Sequence, residues 1–309
     1  MIATGKNTDT ILSAQGVKGR SLWVDARRRL FRNRAALVSM IIIAIVAALA
    51  ILAPFLSQYS YQGTNYNLNN CAPDWWPGTD ALCRAGGTHW LGTDILGRDL
   101  FVRILYGARV SLAVGIVATL VSLLIGVLYG AVAGYLGGRV DAVMMRAVDI
   151  LYSLPFIFFV IILMVVFNRN FILLFVAIGA VEWLTMARIV RGQTLSIKQK
   201  EFIEAARAGG VGRFGIITRH IIPNVVGPVI VYVTLTIPSA ILAESFLSFL
   251  GLGVQEPLTS WGVLIADGSN QMETAPWGLL FPAALMALTL FCFNFIGDGL
   301  RDALDPKDR

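Results

Sequence analysis

Long apolar runs separated by short polar segments dominate the chain, and the first of them, Ala35 to Leu56, is uninterrupted. About 22 residues of helix, at 1.5 Å each, cross the roughly 30 Å hydrocarbon core of a bilayer. Comparable runs at 108–133, 143–167, 171–190, 225–250 and 277–297 bring the prediction to about six transmembrane helices. The pattern therefore reads as an all-α membrane protein. It has a cytoplasmic tail with an interfacial helix over 1–34 and a membrane domain over 35–309.

The polar segments orient the spans. Residues 1–20 show no periodicity and read as a mobile tail. From Ser21 to Arg34, residues Leu22, Trp23, Ala26 and Leu30 form one helical stripe, with Arg27, Arg28, Arg29, Arg32 and Arg34 around the rest. Such a helix lies along an anionic membrane surface and holds the N-terminus in the cytoplasm. Ala48-Leu49-Ala50 superficially resembles a signal cleavage site, but the basic leader is too long for a signal peptide. Loop 57–107 is long, with balanced charge, which suits the periplasmic side. The short connection Asn168-Arg169-Asn170 makes the third and fourth spans an antiparallel hairpin, and Ser153-Leu154-Pro155 marks a kink in the third. Loop 191–224 carries Arg191, Lys198, Lys200, Arg207, Arg213 and Arg219 against Glu201 and Glu204, so it is cytoplasmic. Loop 251–276 carries Glu256, Asp267 and Glu273 and no Lys or Arg, so it is external. Charge asymmetry and span count agree, and both termini fall in the cytoplasm.

Composition supports the same class. The chain is 56% hydrophobic and only 14% charged, with mean hydropathy +0.70, whereas soluble domains carry about a quarter charged residues. The net charge of +6 does not point to nucleic acid, because the basic residues cluster at the ends of apolar runs. Membrane lipid is the partner this distribution implies. Cys71 and Cys83 share the long external loop and are either free thiols or a disulfide, a bridge worth about 3 kcal/mol in the chain-entropy account. Cys292, inside an apolar run, is a small buried group.

Charged residues inside the runs are costly in a bilayer. Glu182 and Arg188 fall in the fourth span, with Arg188 near enough to the cytoplasm to snorkel. Asp149 falls in the third. Glu244 interrupts the fifth, where Ser239, Ser245 and Ser248 are its candidate hydrogen-bond partners. Glu182 and Glu244 are candidates to line a polar pathway, with inter-helix hydrogen bonding as the alternative. Gly126, Gly130 and Gly134, at four-residue spacing, read as a helix-packing face.

The segment EFIEAARAGGVGRFGIITRHIIPN, Glu201 to Asn224, is polar, basic and punctuated by glycine. Its small residues admit close approach of another surface, and Phe202, Val211, Phe214 and Ile217 offer apolar grip. Pro223 is expected to stop any helix before the next run. The order Glu204-Ala205-Ala206, then Gly210, then Pro223 resembles the "EAA" loop of permease subunits in ATP-binding-cassette (ABC) importers. His220 stands where that consensus is apolar. HWLGTDILGRDLFVRILYGAR, from His89 to Arg109, resembles the "GTDxxGRD" signature of the peptide and nickel branch, here Gly92, Thr93, Asp94, Gly97, Arg98 and Asp99. SFLGLG with Pro257 and Trp261-Gly262, the leader GRSLWVDARRR and the tail GDGLRDALDPKDR extend the resemblance over nearly the whole chain.

The resemblance implies a type I ABC importer permease fold in a bacterial inner membrane, and an importer of oligopeptides as the closest kind. It implies a second homologous permease subunit, two cytoplasmic ATP-binding subunits and a periplasmic peptide-binding protein as partners. Glu204, Ala205, Ala206, Arg207, Gly210, Arg213 and Pro223 would then couple to the ATPases. The chain has no GxxxxGK(S/T) phosphate loop, so no cofactor is expected here, and ATP and Mg would belong to the partner ATPases. Dipeptides, nickel chelates and glutathione are the alternative cargoes. A gradient-driven secondary transporter should show inverted repeats or paired broken helices, which the sequence does not. An enzyme would need a clustered catalytic or metal set, and His89 and His220 fall on opposite sides of the membrane.

Overall fold

A computed structural model describes residues 22–77, 79–167 and 171–304. The tail over 1–20, the connection 168–170 and the end of the C-terminal motif lie outside the described residues. Among those described there is no strand, only an isolated bridge between Thr93 and Asp99. The chain runs through α1 (Leu22–Arg32), α2 (Arg34–Leu56), α3 (Ala81–Ala85), α4 (Leu100–Leu136), α5 (Gly138–Ser153), α6 (Phe156–Phe167) and α7 (Phe171–Ile197). It continues through α8 (Glu201–Ala208), α9 (Arg213–Ile216), α10 (Ile222–Phe249), α11 (Trp261–Asn270) and α12 (Trp277–Leu304). Among the described residues, five helices are long and apolar enough to cross a membrane, and α5 with α6 makes a sixth when that bent pair counts as one span.

The third apolar run is interrupted rather than kinked, with the geometry of a broken span or a re-entrant loop. Helices α5 and α6 meet at 84°. Pro155 has no N–H to donate and disfavours helical geometry at the residue before it, and Leu154 is accordingly extended at φ −76°, ψ 129°. Pro223 does the opposite of what the sequence predicts. It sits in the first turn of α10, where a missing N–H costs little, and the π-helical turn Ile217–Ile221 carries α9 straight into it. The fifth span therefore rises from the coupling segment as one helical rod, Arg213 to Phe249.

Helix α4 has 37 residues, about 55 Å of rise, so it overshoots the predicted span at the external end and shortens the loop before it. Its Gly126, Gly130 and Gly134 lie against α7, as expected of a small-residue face. A methyl on Gly126 would come within 2.6 Å of Met186 Cβ, and one on Gly134 within 2.8 Å of Thr194 Cβ. Two ion pairs fasten α5 to α7. Arg191 forks onto Asp141 at 2.6 and 2.7 Å, and Arg188 donates to Asp149 at 2.9 Å while lying over Tyr152.

Helix α2 contains Pro54, which leaves the Ala50 carbonyl without its intrahelical donor. Arg109 of α4 fills that gap, donating to Ala50 O and, at 2.8 Å, to Ile51 O. The leader is more than a surface helix. Asn33 breaks it from α2 and caps α2 through its side chain, and Ala26 is buried. A methyl on Gly299 of α12 would meet Leu30 Cδ1 at 3.3 Å, so α1 is docked on the cytoplasmic end of α12.

Candidate functional site

Two constellations stand out, one at each end of the bundle. At the cytoplasmic end, α8 places Glu201 and Glu204 in its first turn, where carboxylates favour the positive end of the helix dipole. Its termination is a Schellman motif. The Val211 N–H donates to Ala206 O at 3.1 Å, and the Gly210 N–H donates to Arg207 O at 3.0 Å. Gly210 sits at φ +79°, the left-handed conformation that closure requires. The fixed glycine of the motif is thus a stop signal built into the backbone.

This short helix has two unlike faces. Ile203 is fully buried in an apolar cluster with Tyr135 of α4, Met186 and Val190 of α7, and Ile216, Ile221 and Val225 of the fifth span. Arg207 lies over the Tyr135 ring at 5.2 Å, with Lys198 near the same ring. The opposite face presents Phe202, Glu204, Ala205 and Gly209 to solvent, and beyond the turn Arg213 and Phe214 are exposed, Phe214 at 79%. Tyr135 and Ile203 escaped the sequence reading because each looks like an ordinary apolar residue. Their spacing against the span ends was the only signal available.

At the external end, the six signature residues form one lock. Asp94 accepts from the N–H groups of Leu96 and Arg98 at 2.9 Å, from Arg98 Nε at 2.7 Å, and from Arg103. Arg98 also donates to Glu256 at 2.7 Å, joining this turn to the loop before α11. Burial works against the Arg98 charge, but the bond to Glu256 and the attraction of Asp94 outweigh it and raise its pKa above the ordinary value. Asp99 caps α4 by accepting from the Val102 N–H at 2.9 Å, and its second oxygen meets His89 Nδ1 at 2.7 Å. Thr93 binds Cys71 and Leu68. Gly92 and Gly97 have positive φ, and any side chain at Gly97 would strike the Asn65 carbonyl. Cys71 and Cys83 are joined as a disulfide, Cα–Cα 5.5 Å. Arg103 and Glu256 complete this lock, a pairing that the charge of each loop taken singly does not reveal.

The two candidate pathway carboxylates part company. Glu244 is wholly buried inside the chain, accepting from Ser248 and Ser260 at 2.6 Å each and from Ser111 at 3.4 Å. Its place is a helix-joining knot between α10, α4 and α11. Ser248 was foreseen as a partner. Ser245 also stands beside the carboxylate while its hydroxyl lies 3.2 Å from Met286 Sδ, whereas Ser239 bonds its own helix. Ser260 serves twice, because it also caps α11 through the Val263 N–H. Glu182, by contrast, lines an open cavity with the broken span. Among the described residues, no group of three or more His, Cys, Asp or Glu is arranged to hold a metal.

The family model for the binding-protein-dependent transport system inner membrane component matches residues 126–309. The chain belongs to that family. The N-terminal membrane domain of oligopeptide transport permease C matches residues 21–73, covering α1 and α2. This permease is 59% identical to the oligopeptide transport system permease protein OppC of Escherichia coli (strain K12), over all of both chains. It is 46% identical to the protein of that name from Bacillus subtilis (strain 168), over 94% of this chain and 92% of the other. Against the dipeptide transport system permease protein DppC of the same organism, identity is 45% over 92% of this chain and 86% of the other. Family membership and the apolar helices together make it a multi-pass inner-membrane transport subunit rather than an enzyme.

Proposed function

We propose that this permease forms half of the translocation pathway of an ATP-driven, binding-protein-dependent importer of oligopeptides. A second homologous permease supplies the other half. Two cytoplasmic ATPases hold the ATP and Mg, and a periplasmic peptide-binding protein delivers cargo to the external lock. The observation that carries the coupling role is the two-faced helix α8. Ile203 fixes one side to three spans, while Phe202, Ala205, Gly209 and Phe214 leave the other free for a partner. Closure of the ATPases moves that outer face, and the rod from Arg213 to Phe249 carries the displacement into the membrane. ATP can bias the bundle only through its unequal affinity for the two states.

The 59% full-length likeness to an oligopeptide permease favours oligopeptides over dipeptides, nickel chelates or glutathione as cargo. The test is reconstitution of the complex in vesicles with each cargo and its binding protein. Oligopeptides should stimulate ATP hydrolysis and accumulate. Concentrative uptake by this chain alone, without any ATPase, would overturn the reading and favour a gradient-driven carrier.

A further inference from the structure

The break between α5 and α6 opens onto a cavity of about 540 Å³, lined by Tyr152, Pro155, Phe156, Phe159, Glu182 and Trp183 among others. Leu151 to Pro155 are all exposed there, and Leu154 is non-helical. The Leu154 N–H still reaches Leu151 O at 3.3 Å, but a break between two helices leaves further end groups beside it, and within a membrane such groups border protein or a water-filled path rather than lipid. Glu182 lies well inside α7, eleven residues from its start at Phe171 and within the apolar run 171–190. Among the described residues, no hydrogen bond or ion pair is made by its half-buried carboxylate. The neighbouring cation, Arg188, is committed to Asp149 at 2.9 Å and to the Tyr152 ring at 4.3 Å. Carboxylates at this depth are costly and need a counter-charge.

The walls supply the rest of the chemistry. Aromatic rings beside a carboxylate, with no Lys or Arg among the residues of the cavity wall, form a setting that attracts a small organic cation. Primary ammonium fits, being compact, singly charged and a donor of three hydrogen bonds. We propose that this cavity is a way-station on the translocation path, where Glu182 takes the ammonium group of a peptide in transit. The inference rests on the permease reading above and names the cargo group it recognises. Two sources share that chemistry, the peptide's amino terminus and a lysine side chain. Binding there must be weak enough to release, as in any multi-site conduction path.

The test uses the complete importer in vesicles, with tri-alanine and a lysine-containing tripeptide at matched occupancy of the binding protein. Glu182→Gln keeps the shape and removes the charge, and should lower uptake about tenfold, the scale of one lost charge-assisted hydrogen bond. Glu182→Asp should recover part of the loss. A fall for both peptides assigns the amino terminus, and a fall for the lysine peptide alone assigns the side chain. A hydrophobic carbodiimide, which condenses a carboxylate with an amine in contact and leaves as its urea, should link Glu182 to the peptide. Mass spectrometry then identifies the nitrogen. Wild-type uptake by Glu182→Gln, with ATP dependence intact, overturns the site and leaves the permease reading standing. A variant that no longer co-purifies with the second permease, or a cross-link to that subunit, also overturns it, because the carboxylate would then be an interface residue. Failure of the wild-type complex to accumulate peptide would instead count against the permease reading itself.

Discussion

Arg98 Nη1 reaches the Glu256 carboxylate at 2.7 Å, joining two external segments 158 residues apart in the chain. The two partners are unequal, because the Arg98 side chain is 9% exposed and that of Glu256 is 61% exposed. Removing Arg98 also strips Asp94 of a buried partner, whereas removing Glu256 leaves Arg98 still paired with Asp94. Arg98→Ala should therefore destabilise the external lobe by about 3 kcal/mol, and Glu256→Gln by about 1 kcal/mol or less. Hydrogen exchange across residues 92–103 and 254–267 measures both. Equal effects would show that the lock is not organised around Asp94.

Gly210 is held at φ +79° with open space around its missing Cβ. Gly210→Val should cost about 1–2 kcal/mol through backbone strain alone, and Gly210→Asn less, since asparagine tolerates that region. Both variants should insert normally. Peptide-stimulated ATP hydrolysis should fall further for valine than for asparagine, and Glu204→Lys should lower it without any fold defect. Intact coupling in all three would remove α8 from the transmission path.

The α4–α7 contact offers a steric test with an internal control. Gly130→Leu would drive a side chain into Val190 and the backbone of Arg191, both 2.9 Å from the added Cβ. It should lower the yield of folded protein in detergent several-fold, by overpacking. Gly227→Ala meets nothing within 4 Å and should be neutral or slightly stabilising through helix propensity.

Glu244→Ala would leave the hydroxyls of Ser111, Ser248 and Ser260 without their buried acceptor. A loss of about 3 kcal/mol in thermal stability is expected. Glu244→Gln, which keeps one acceptor oxygen, should lose less. A transport defect at unchanged stability would contradict the knot.

Serine at both Cys71 and Cys83 should loosen the loop they close by about 3 kcal/mol in the chain-entropy account. Exchange rates should rise between residues 66 and 92, while α4 and α7 stay protected.

Much of this was legible in the sequence, because the bilayer imposes a length and polarity rule on each run. The uninterrupted stretch after Ala35 and the small-residue face of Gly126 to Gly134 follow from local pattern, whereas the coupling role of 201–224 rests on a family resemblance. What escaped depends on how elements meet. Pro155 and Pro223 look alike as helix breakers. The first truly breaks a helix, while the second lands in the first turn of α10, after a π turn whose stability comes from Ile217 and Ile221 packing into the core. Glu244 looks as exposed to a pathway as Glu182 until Ser260, from another element, is seen to cover it.

Closure of the external lobe depends on residues made much later. Trp277 donates its indole N–H to Thr93 O at 3.3 Å, 184 residues away, and Asn70 donates to Gln271. During synthesis the lobe must therefore wait, outside the membrane and incomplete, until the last helix has been inserted. A chain stalled before α12 would leave Thr93 O without the Trp277 indole, so the signature turn is finished only once that helix is in place.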